Sequence, residues 1–319
     1  GWLLWAALCA ILFIRSAYAL PERFTSAANL VPEPSALGVR YGDCCELLGY
    51  DSPGEPVYPG DWVPLRLVWR VLEETDRNHA LYVHATTVDG RVVGQLDTYH
   101  GGGMYPTGQW RAGQIIDDVA WVPISWRAQG PALLRFQVGL HESGSAVRLP
   151  AYAPGGEAVD VVFAGEAALL PFDWPTLEPG AQPVAAFEEQ IELAAVDLPQ
   201  EPARAGQVVT VTLHWQALAP VDGDYTGFVH LVAPGGGDVA QDDHLPLSGY
   251  FPTWLWRPGA VVLDPYRLEL PADLAAGTYE LRAGFYRAET GERLRAMSPA
   301  IGERWQDDLV YLGTLVIVD

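Results

Sequence analysis

Val-Val-Thr-Val-Thr-Leu-His-Trp, residues 208–215, is the stretch that decides the fold class of this chain. Val and Thr branch at Cβ and suit a pleated surface, so the stretch predicts a β-strand. Similar patterns follow at 225–233, 238–243, 261–270, 278–286 and 309–318, and turn signals separate them. Nothing after residue 36 has a long helical period. This spacing predicts an all-β fold, an antiparallel β-sandwich of immunoglobulin-like or jelly-roll-like type.

The pattern occurs twice along the chain. A shift of 146 residues places 41–118 on 187–264 without a gap, and Trp69 then falls on Trp215. We therefore predict two tandem copies of one sandwich domain, at 37–166 and 187–319. Between them, 167–186 is rich in Pro and is predicted to be a linker.

One predicted detail differs between the copies. The sequence Gly277-Thr278-Tyr279-Glu280-Leu281 is typical of the corner before a penultimate sandwich strand, where a Tyr hydroxyl bonds back to the backbone. Leu134 takes that place in the first copy and has no hydroxyl. The bond is therefore predicted for the second copy alone.

The N-terminal segment is apolar. Its first 14 residues carry no charge, and counted through Leu20 the segment would reach about 30 Å as a helix, the thickness of a bilayer core. We predict a transmembrane helix at 1–20, either the end of a longer membrane region or a single anchor, with the lipid bilayer as its partner. The alternative is a signal-peptide remnant, because 17–19 reads Ala-Tyr-Ala and fits a cleavage site. Both interpretations place the residues after about 20 outside the cytoplasm, with 21–36 as a linker.

The charge balance excludes two classes of partner. The chain has 40 acidic residues against 19 basic ones, all of them Arg, and a net charge of −21. No nucleic acid partner is expected, because a row of phosphates needs a basic surface. Docking on anionic lipid head groups is disfavoured for the same reason.

The sequence shows no catalytic constellation. It has no nucleophile elbow with Ser, His and Asp in order, and its Gly-rich stretches lack the following helix that a phosphate cradle needs. The adjacent Cys44 and Cys45 are expected to be small strand residues on opposite faces rather than a disulfide. We therefore predict no catalytic residue, no cofactor and no metal site.

The segments 99–113 and 245–259 are the most distinctive matched parts of the repeat. Each has a Gly-rich approach, a Pro-Thr pair and a Trp-Arg-x-Gly ending. A sugar needs a flat aromatic face with planar hydrogen-bonding groups beside it, so these loops hold the candidate ligand-binding residues. They are Tyr105, Trp110, Arg111, Trp254, Trp256 and Arg257. The alternative is structural: the Trp closes the end of the sandwich, and the Arg pairs with Asp118 or Asp264.

A polar cluster is also shared by the two copies. It comprises His84, Gln95 and Asp97 in the first copy and His230, Gln241 and Asp243 in the second. Each His lies mid-strand, and the Gln and Asp fall on the next strand, so they are expected to be cross-strand neighbours. We expect a structural hydrogen-bonded cluster; the alternative is a metal or ligand site.

The second copy carries the signature of a known group of proteins. The stretches 228–231 (Phe-Val-His-Leu), 250–253 (Tyr-Phe-Pro-Thr), 256–259 (Trp-Arg-Pro-Gly) and 277–286 resemble the extracytoplasmic C-terminal part of polytopic bacterial glycosyltransferases. These are enzymes of the dolichyl-phosphate-mannose mannosyltransferase type, common in Chloroflexi-like bacteria. In that family, acidic residues in an early loop act on a polyprenyl-phosphate-sugar donor, and that loop is not in this chain. The resemblance therefore implies no catalytic residue here, and an active site outside this segment if the chain belongs to an enzyme.

Together these observations predict a non-catalytic accessory module on the extracytoplasmic side of a bacterial cytoplasmic membrane. Its task would be to bind or position glycan or an envelope protein, as the tail of a membrane glycosyltransferase. The alternative is a structural subunit of a surface layer, filament or envelope complex.

Overall fold

The computed structural model describes residues 35–145, 147–178, 180, 182–300 and 302–319. The chain divides into two compact units, Gly1–Leu170 and Pro171–Asp319, and the division falls within the segment predicted to be a linker. The predicted membrane helix at 1–20 lies outside the described residues. In the part of the chain that is described, no helix has the length and apolar character needed to cross a bilayer.

The first unit is built from two antiparallel sheets. One sheet has the order β6-β3-β2-β1-β8-β9 and the other the order β10-β7-β4-β5. The strands are β1 Ser35–Tyr41, β2 Cys45–Asp51, β3 Trp62–Val71, β4 His79–Thr86, β5 Val92–Thr98, β6 Ile115–Pro123, β7 Ala132–Glu142, β8 Ala151–Tyr152, β9 Ala158–Val159 and β10 Phe163–Leu169.

The second unit has a closely related plan. Its sheets have the orders β17-β14-β12-β11-β19 and β13-β20-β18-β15-β16. The strands are β11 Ala185–Phe187, β12 Ile191–Asp197, β13 Ala203–Arg204, β14 Val208–Ala217, β15 Thr226–Val232, β16 Asp238–His244, β17 Val261–Glu269, β18 Gly277–Tyr286, β19 Ala296–Met297 and β20 Val310–Val318. The all-β prediction is confirmed.

The 146-residue shift also relates the strands. β2, β3, β5 and β6 begin and end 146 residues before β12, β14, β16 and β17. The pairing of β3 with β6 and that of β14 with β17 have the same register under this shift. Equivalent positions in the two units can therefore be compared residue by residue.

The core follows from alternation along the strands. On β3 the side chains of Val63, Leu65, Leu67 and Trp69 are buried, and the same positions are buried on β14. Trp69 and Trp215 are fully buried. Burying one such ring removes roughly 200 Å² from water, worth about 5 kcal/mol.

Two smaller predictions have opposite outcomes. The Tyr279 hydroxyl donates to the carbonyl oxygen of Ala275 at 2.9 Å, so the predicted corner is confirmed. Cys45 begins β2, but Cys44 lies in the turn before it, so the prediction of two strand residues on opposite faces is wrong. Both thiols are free and buried.

Candidate functional site

The two matched loops are anchored by their Thr residues. The Thr107 hydroxyl donates to the Arg77 carbonyl at 2.9 Å and accepts from the His79 N–H at 2.8 Å. Thr253 does the same with Gly223 and Tyr225, at 2.7 and 2.9 Å. Because these bonds tie each loop to the segment at the start of β4 or β15, retention of the Pro-Thr pair in both units is explained by the fold.

The predicted sugar-stacking role of Trp110 and Trp256 is wrong. The two residues are 1% and 0% exposed, so neither ring offers a face to a ligand. The Trp256 indole N–H donates to the Phe251 carbonyl at 3.0 Å, which fixes the ring inside the unit. Alternation does not apply to a loop, so the sequence could not show that these rings point inward.

The expected pairing of the loop arginines with Asp118 and Asp264 is also wrong. Arg111 donates to the Trp110 carbonyl at 3.2 Å, and Arg257 donates to the carbonyls of Trp254 and Trp256 at 3.2 and 3.1 Å. Tyr105 donates to the Gln114 side chain at 3.1 Å. Tyr105 and Trp254 are partly exposed and Arg111 and Arg257 are exposed, so a role of these four in ligand binding stays a prediction.

The shared polar cluster forms on the outer face of one sheet in each unit. His84 lies opposite Gln95 and Tyr82 opposite Asp97. In the second unit His230 lies opposite Gln241 and Phe228 opposite Asp243. Cross-strand neighbourhood is therefore confirmed. The His230 ring also lies between two carboxylates, 3.1 Å from Asp238 and 3.3 Å from Asp243.

An arginine distant in sequence, which residue spacing does not reveal, covers each cluster. Arg148 lies over the Tyr82 ring at 4.9 Å, and Arg293 lies over the Phe228 ring at 5.5 Å. Burial lowers the pKa of His84. The Asp97 carboxylate raises this pKa, and the Arg148 charge lowers it, but burial is the largest effect. Within the described residues, no group of three or more His, Cys, Asp or Glu side chains is arranged to hold a metal ion. The structural role expected for the cluster stays a prediction.

Three exposed tryptophans distinguish the first unit. Trp62, Trp121 and Trp126 are 62%, 53% and 73% exposed. Trp62 pairs with Pro123, and Trp121 pairs with Pro64, so the two rings are diagonal neighbours on the outer face of β3 and β6. The repeat does not single out these residues, because the second copy has no Trp at the positions of Trp62 and Trp121.

A slot opens beside these rings, between the edge strands β5 and β6. One end is closed where Gly94 bridges to Ile124 and the Ser125 N–H donates to the Val93 carbonyl at 2.7 Å. The other end is closed by Asp118, which accepts from the Gly101 N–H and contacts His100, both at 3.1 Å. The hollow between these closures has a volume of about 170 Å³.

The slot has an apolar floor and an aromatic rim. Leu81, Leu96 and Ala120 form the floor, and Trp62, Val119 and Trp121 form the rim. Because β6 is the last strand of its sheet, alternate backbone groups on it point into the slot. The backbone N–H of Trp121 is one of these groups. In the second unit the equivalent N–H, that of Arg267, points away from β14 and donates to Asp242 at 2.6 Å.

The second unit fills the equivalent space with its own side chains. Tyr266, at the position of Ala120, is buried and stacks on His244 with ring centroids 4.3 Å apart. Its hydroxyl donates to Asp264 at 2.9 Å, and His244 donates to the other oxygen of Asp264 at 3.1 Å. Gly227 makes room, since a Cβ there would lie 2.1 Å from the Tyr266 hydroxyl oxygen.

We call the stacked pair of His244 and Tyr266 the plug. The pKa of its histidine is shifted. Burial acts to lower the pKa of His244, but the hydrogen bonds and charges of Asp264 and Asp242 outweigh burial and raise the pKa to about 9. The ring is therefore an imidazolium at neutral pH and forms an ion pair with a buried carboxylate. In the first unit, Thr98 takes the place of His244.

Comparison with known proteins adds little to this picture. No protein-family model and no curated protein sequence matches the chain. Among solved structures, red sea bream transglutaminase matches 90% of this chain and 32% of its own at 11% identity, with a TM-score of 0.21. A Salmonella alpha-2-macroglobulin mutant matches 92% of this chain and 16% of its own at 11% identity, with a TM-score of 0.22. The chain thus spans about a third and about a sixth of these two proteins, and at such values neither bears on its function.

Proposed function

We propose that the chain is a non-catalytic accessory module on the extracytoplasmic side of a bacterial membrane. In this proposal it binds glycan through the outer face of β3 and β6 in its first unit. Residues 1–20 tether it, and its position is that of a tail on a membrane glycosyltransferase. The membrane part of the proposal rests on the apolar N-terminal segment and on the resemblance described above.

The observation that carries the proposal is the difference between the units. The positions of Trp62 and Trp121 hold Val208 and Arg267 in the second unit, where the strands have the same bounds and register. The fold therefore does not need either ring. Large exposed apolar side chains that cluster on one face are a feature of binding surfaces.

The surroundings of the two rings suit a sugar. Arg66 lies on the same face of β3 and holds Asp117 with two bonds, at 2.8 and 2.9 Å, and Asp51 with a third at 2.7 Å. Flat indole faces can cover the C–H groups of a pyranose, while planar charged groups beside them bond its hydroxyls.

A binding experiment with matched variants tests the proposal. Trp62→Ala and Trp121→Ala remove the rings, and Val208→Ala changes the position equivalent to Trp62 in the second unit. Calorimetric titration with bacterial envelope polysaccharides should show binding by the parent chain and by Val208→Ala. The two Trp variants should bind at least tenfold more weakly, which corresponds to about 1.4 kcal/mol. Equal binding by all four proteins would place the glycan elsewhere.

The exposed aromatic face of β3 and β6 favours one alternative. Exposed Trp rings clustered on one face also suit a contact between copies of the chain, which a structural subunit of a surface layer would use. Sedimentation velocity at increasing concentration distinguishes the two functions. A monomer that binds glycan supports the accessory module, whereas defined oligomers lost in Trp121→Ala support the structural subunit.

A further inference from the structure

The fold does not require an open slot between β5 and β6. Its equivalent in the second unit is closed by the stacked rings of His244 and Tyr266, with Gly227 beneath them. Leu81 and Ala120 replace Gly227 and Tyr266 in the first unit, and this exchange nearly conserves volume in the core. The partly exposed member of the plug, His244, is replaced by the smaller Thr98, which lines the slot together with the two Trp rings.

The size of the slot limits its occupant. A volume of about 170 Å³ is well below the roughly 300–1,000 Å³ of pockets that hold drug-sized ligands. Both ends are closed, by Gly94 with Ile124 and by Asp118 with Gly101, so an extended chain cannot pass through. The space therefore suits a single ring at the end of a ligand.

The charge of the slot limits its occupant further. Among the described residues that line it, the one charged side chain is Asp118, a carboxylate, and none is basic. Arg66 on the neighbouring face is already held by two carboxylates. With a net charge of −21 on the chain and no basic side chain among the described residues that line the slot, an anionic ligand would be repelled.

The slot also offers polar partners for hydroxyl groups. The backbone N–H and carbonyl groups of Val119 and Trp121 on the edge strand point into it, and the Thr98 hydroxyl lies on its wall. Aromatic rims, an apolar floor and a few backbone donors and acceptors form the combination that recognises a ring with both C–H faces and hydroxyls.

We propose that the β5–β6 slot of the first unit binds the terminal, uncharged hexose of a glycan, and that the second unit carries a self-plugged version of the same slot. This inference rests on the proposed glycan binding and specifies its site and ligand class. The Trp face would then contact the next sugar units, and the slot would recognise the chain end.

Transplanting the plug tests the proposal. The variant Leu81→Gly, Leu96→Asp, Thr98→His and Ala120→Tyr gives the first unit the equivalents of Gly227, Asp242, His244 and Tyr266, while Trp62 and Trp121 stay in place. We expect the parent chain to bind neutral hexose disaccharides in calorimetric titration and the plugged variant to bind at least tenfold more weakly. The corresponding hexuronic acid disaccharides should bind the parent chain at least tenfold more weakly than the neutral ones.

A second variant keeps the test valid if the plugged protein does not fold. Val119→Cys places a thiol on the exposed rim, and alkylation with iodoacetamide then adds bulk there without a change in the folded chain. Unmodified Val119→Cys is the matched control, and the parent chain is treated in parallel to account for its own cysteines. Alkylation should weaken binding at least tenfold in Val119→Cys and leave the parent chain unaffected.

The outcomes separate the two proposals. If the parent chain binds neither the envelope polysaccharides nor the disaccharides, the proposed function and this inference both fail. If the plugged or alkylated protein binds neutral disaccharides as tightly as the parent chain, the slot assignment fails while glycan binding stands. If hexuronic acids bind as tightly as neutral sugars, the assignment to an uncharged terminal residue is wrong.

Discussion

His244 should make the stability of the second unit depend on pH. Its pKa is raised to about 9 by Asp264 and Asp242 in the folded chain, against about 6.5 for an unfolded His. A raised folded-state pKa contributes stability that is fully present below about pH 6.5 and is lost as pH rises through about 9.

The size of the effect follows from the shift. The difference 9 − 6.5 is about 2.5 pKa units, and at about 1.36 kcal/mol per unit this gives about 3 kcal/mol. The His244 side chain is 15% exposed and its partner Asp264 is fully buried, so screening by solvent reduces this figure little. Replacing His244 with Gln removes the titration and keeps a polar side chain of similar size.

Urea unfolding of the full chain at pH 6 and pH 10 measures the effect. The second unit is identified as the transition that moves in His244→Gln. We expect the difference in unfolding free energy between the parent chain and His244→Gln to shrink by about 3 kcal/mol from pH 6 to pH 10. Taking the difference between the two proteins cancels other groups that titrate in this range. A change below about 1 kcal/mol would refute the ion-pair assignment, because a shift of 2.5 units then could not exist.

Two further predictions concern individual contacts, and a third concerns the mass of the native protein. Tyr279→Phe loses the hydroxyl bond to Ala275 and should lower the unfolding free energy by about 1 kcal/mol in a urea titration; an unchanged midpoint would mean that the corner bond contributes nothing. Gly227→Ala puts a Cβ against the Tyr266 hydroxyl and should cost about 3 kcal/mol, whereas the control Gly235→Ala, with nothing within 4 Å, should leave the melting temperature almost unchanged. The intact mass of the native protein from membranes should far exceed 34.7 kDa if the chain is a glycosyltransferase tail, and a mass close to 34.7 kDa would contradict that part of the proposal.

Strand positions could be predicted from the sequence because two physical signals agree. Alternation along 208–215 marks a half-buried strand, and the 146-residue shift repeats the same pattern at β3. The Tyr279 corner could be predicted because its partner is only four residues away along the chain. Local chemistry and local periodicity therefore predict strand positions and turns.

The candidate site could not be predicted in the same way. Burial of Trp110 and Trp256 depends on how a loop without a period folds back over the core. The slot exists because β5 and β6 are the edges of different sheets that converge at Gly94 and part before Asp118. Both features depend on how distant parts of the chain pack together, and residue spacing does not predict this packing.

A chain with two copies of one fold does contain a signal for function, but in the positions where the copies differ. Some residues that both copies keep are explained by the fold, as the anchors made by Thr107 and Thr253 show. The exposed Trp62 and Trp121 of the first copy are equivalent to Val208 and Arg267 in the second, so the fold does not need a Trp at these positions. Because both copies share strand register, each difference can be assigned to a place in the structure. These differences converge on the rim and floor of one slot, and this convergence is the reason to seek the ligand in the first unit.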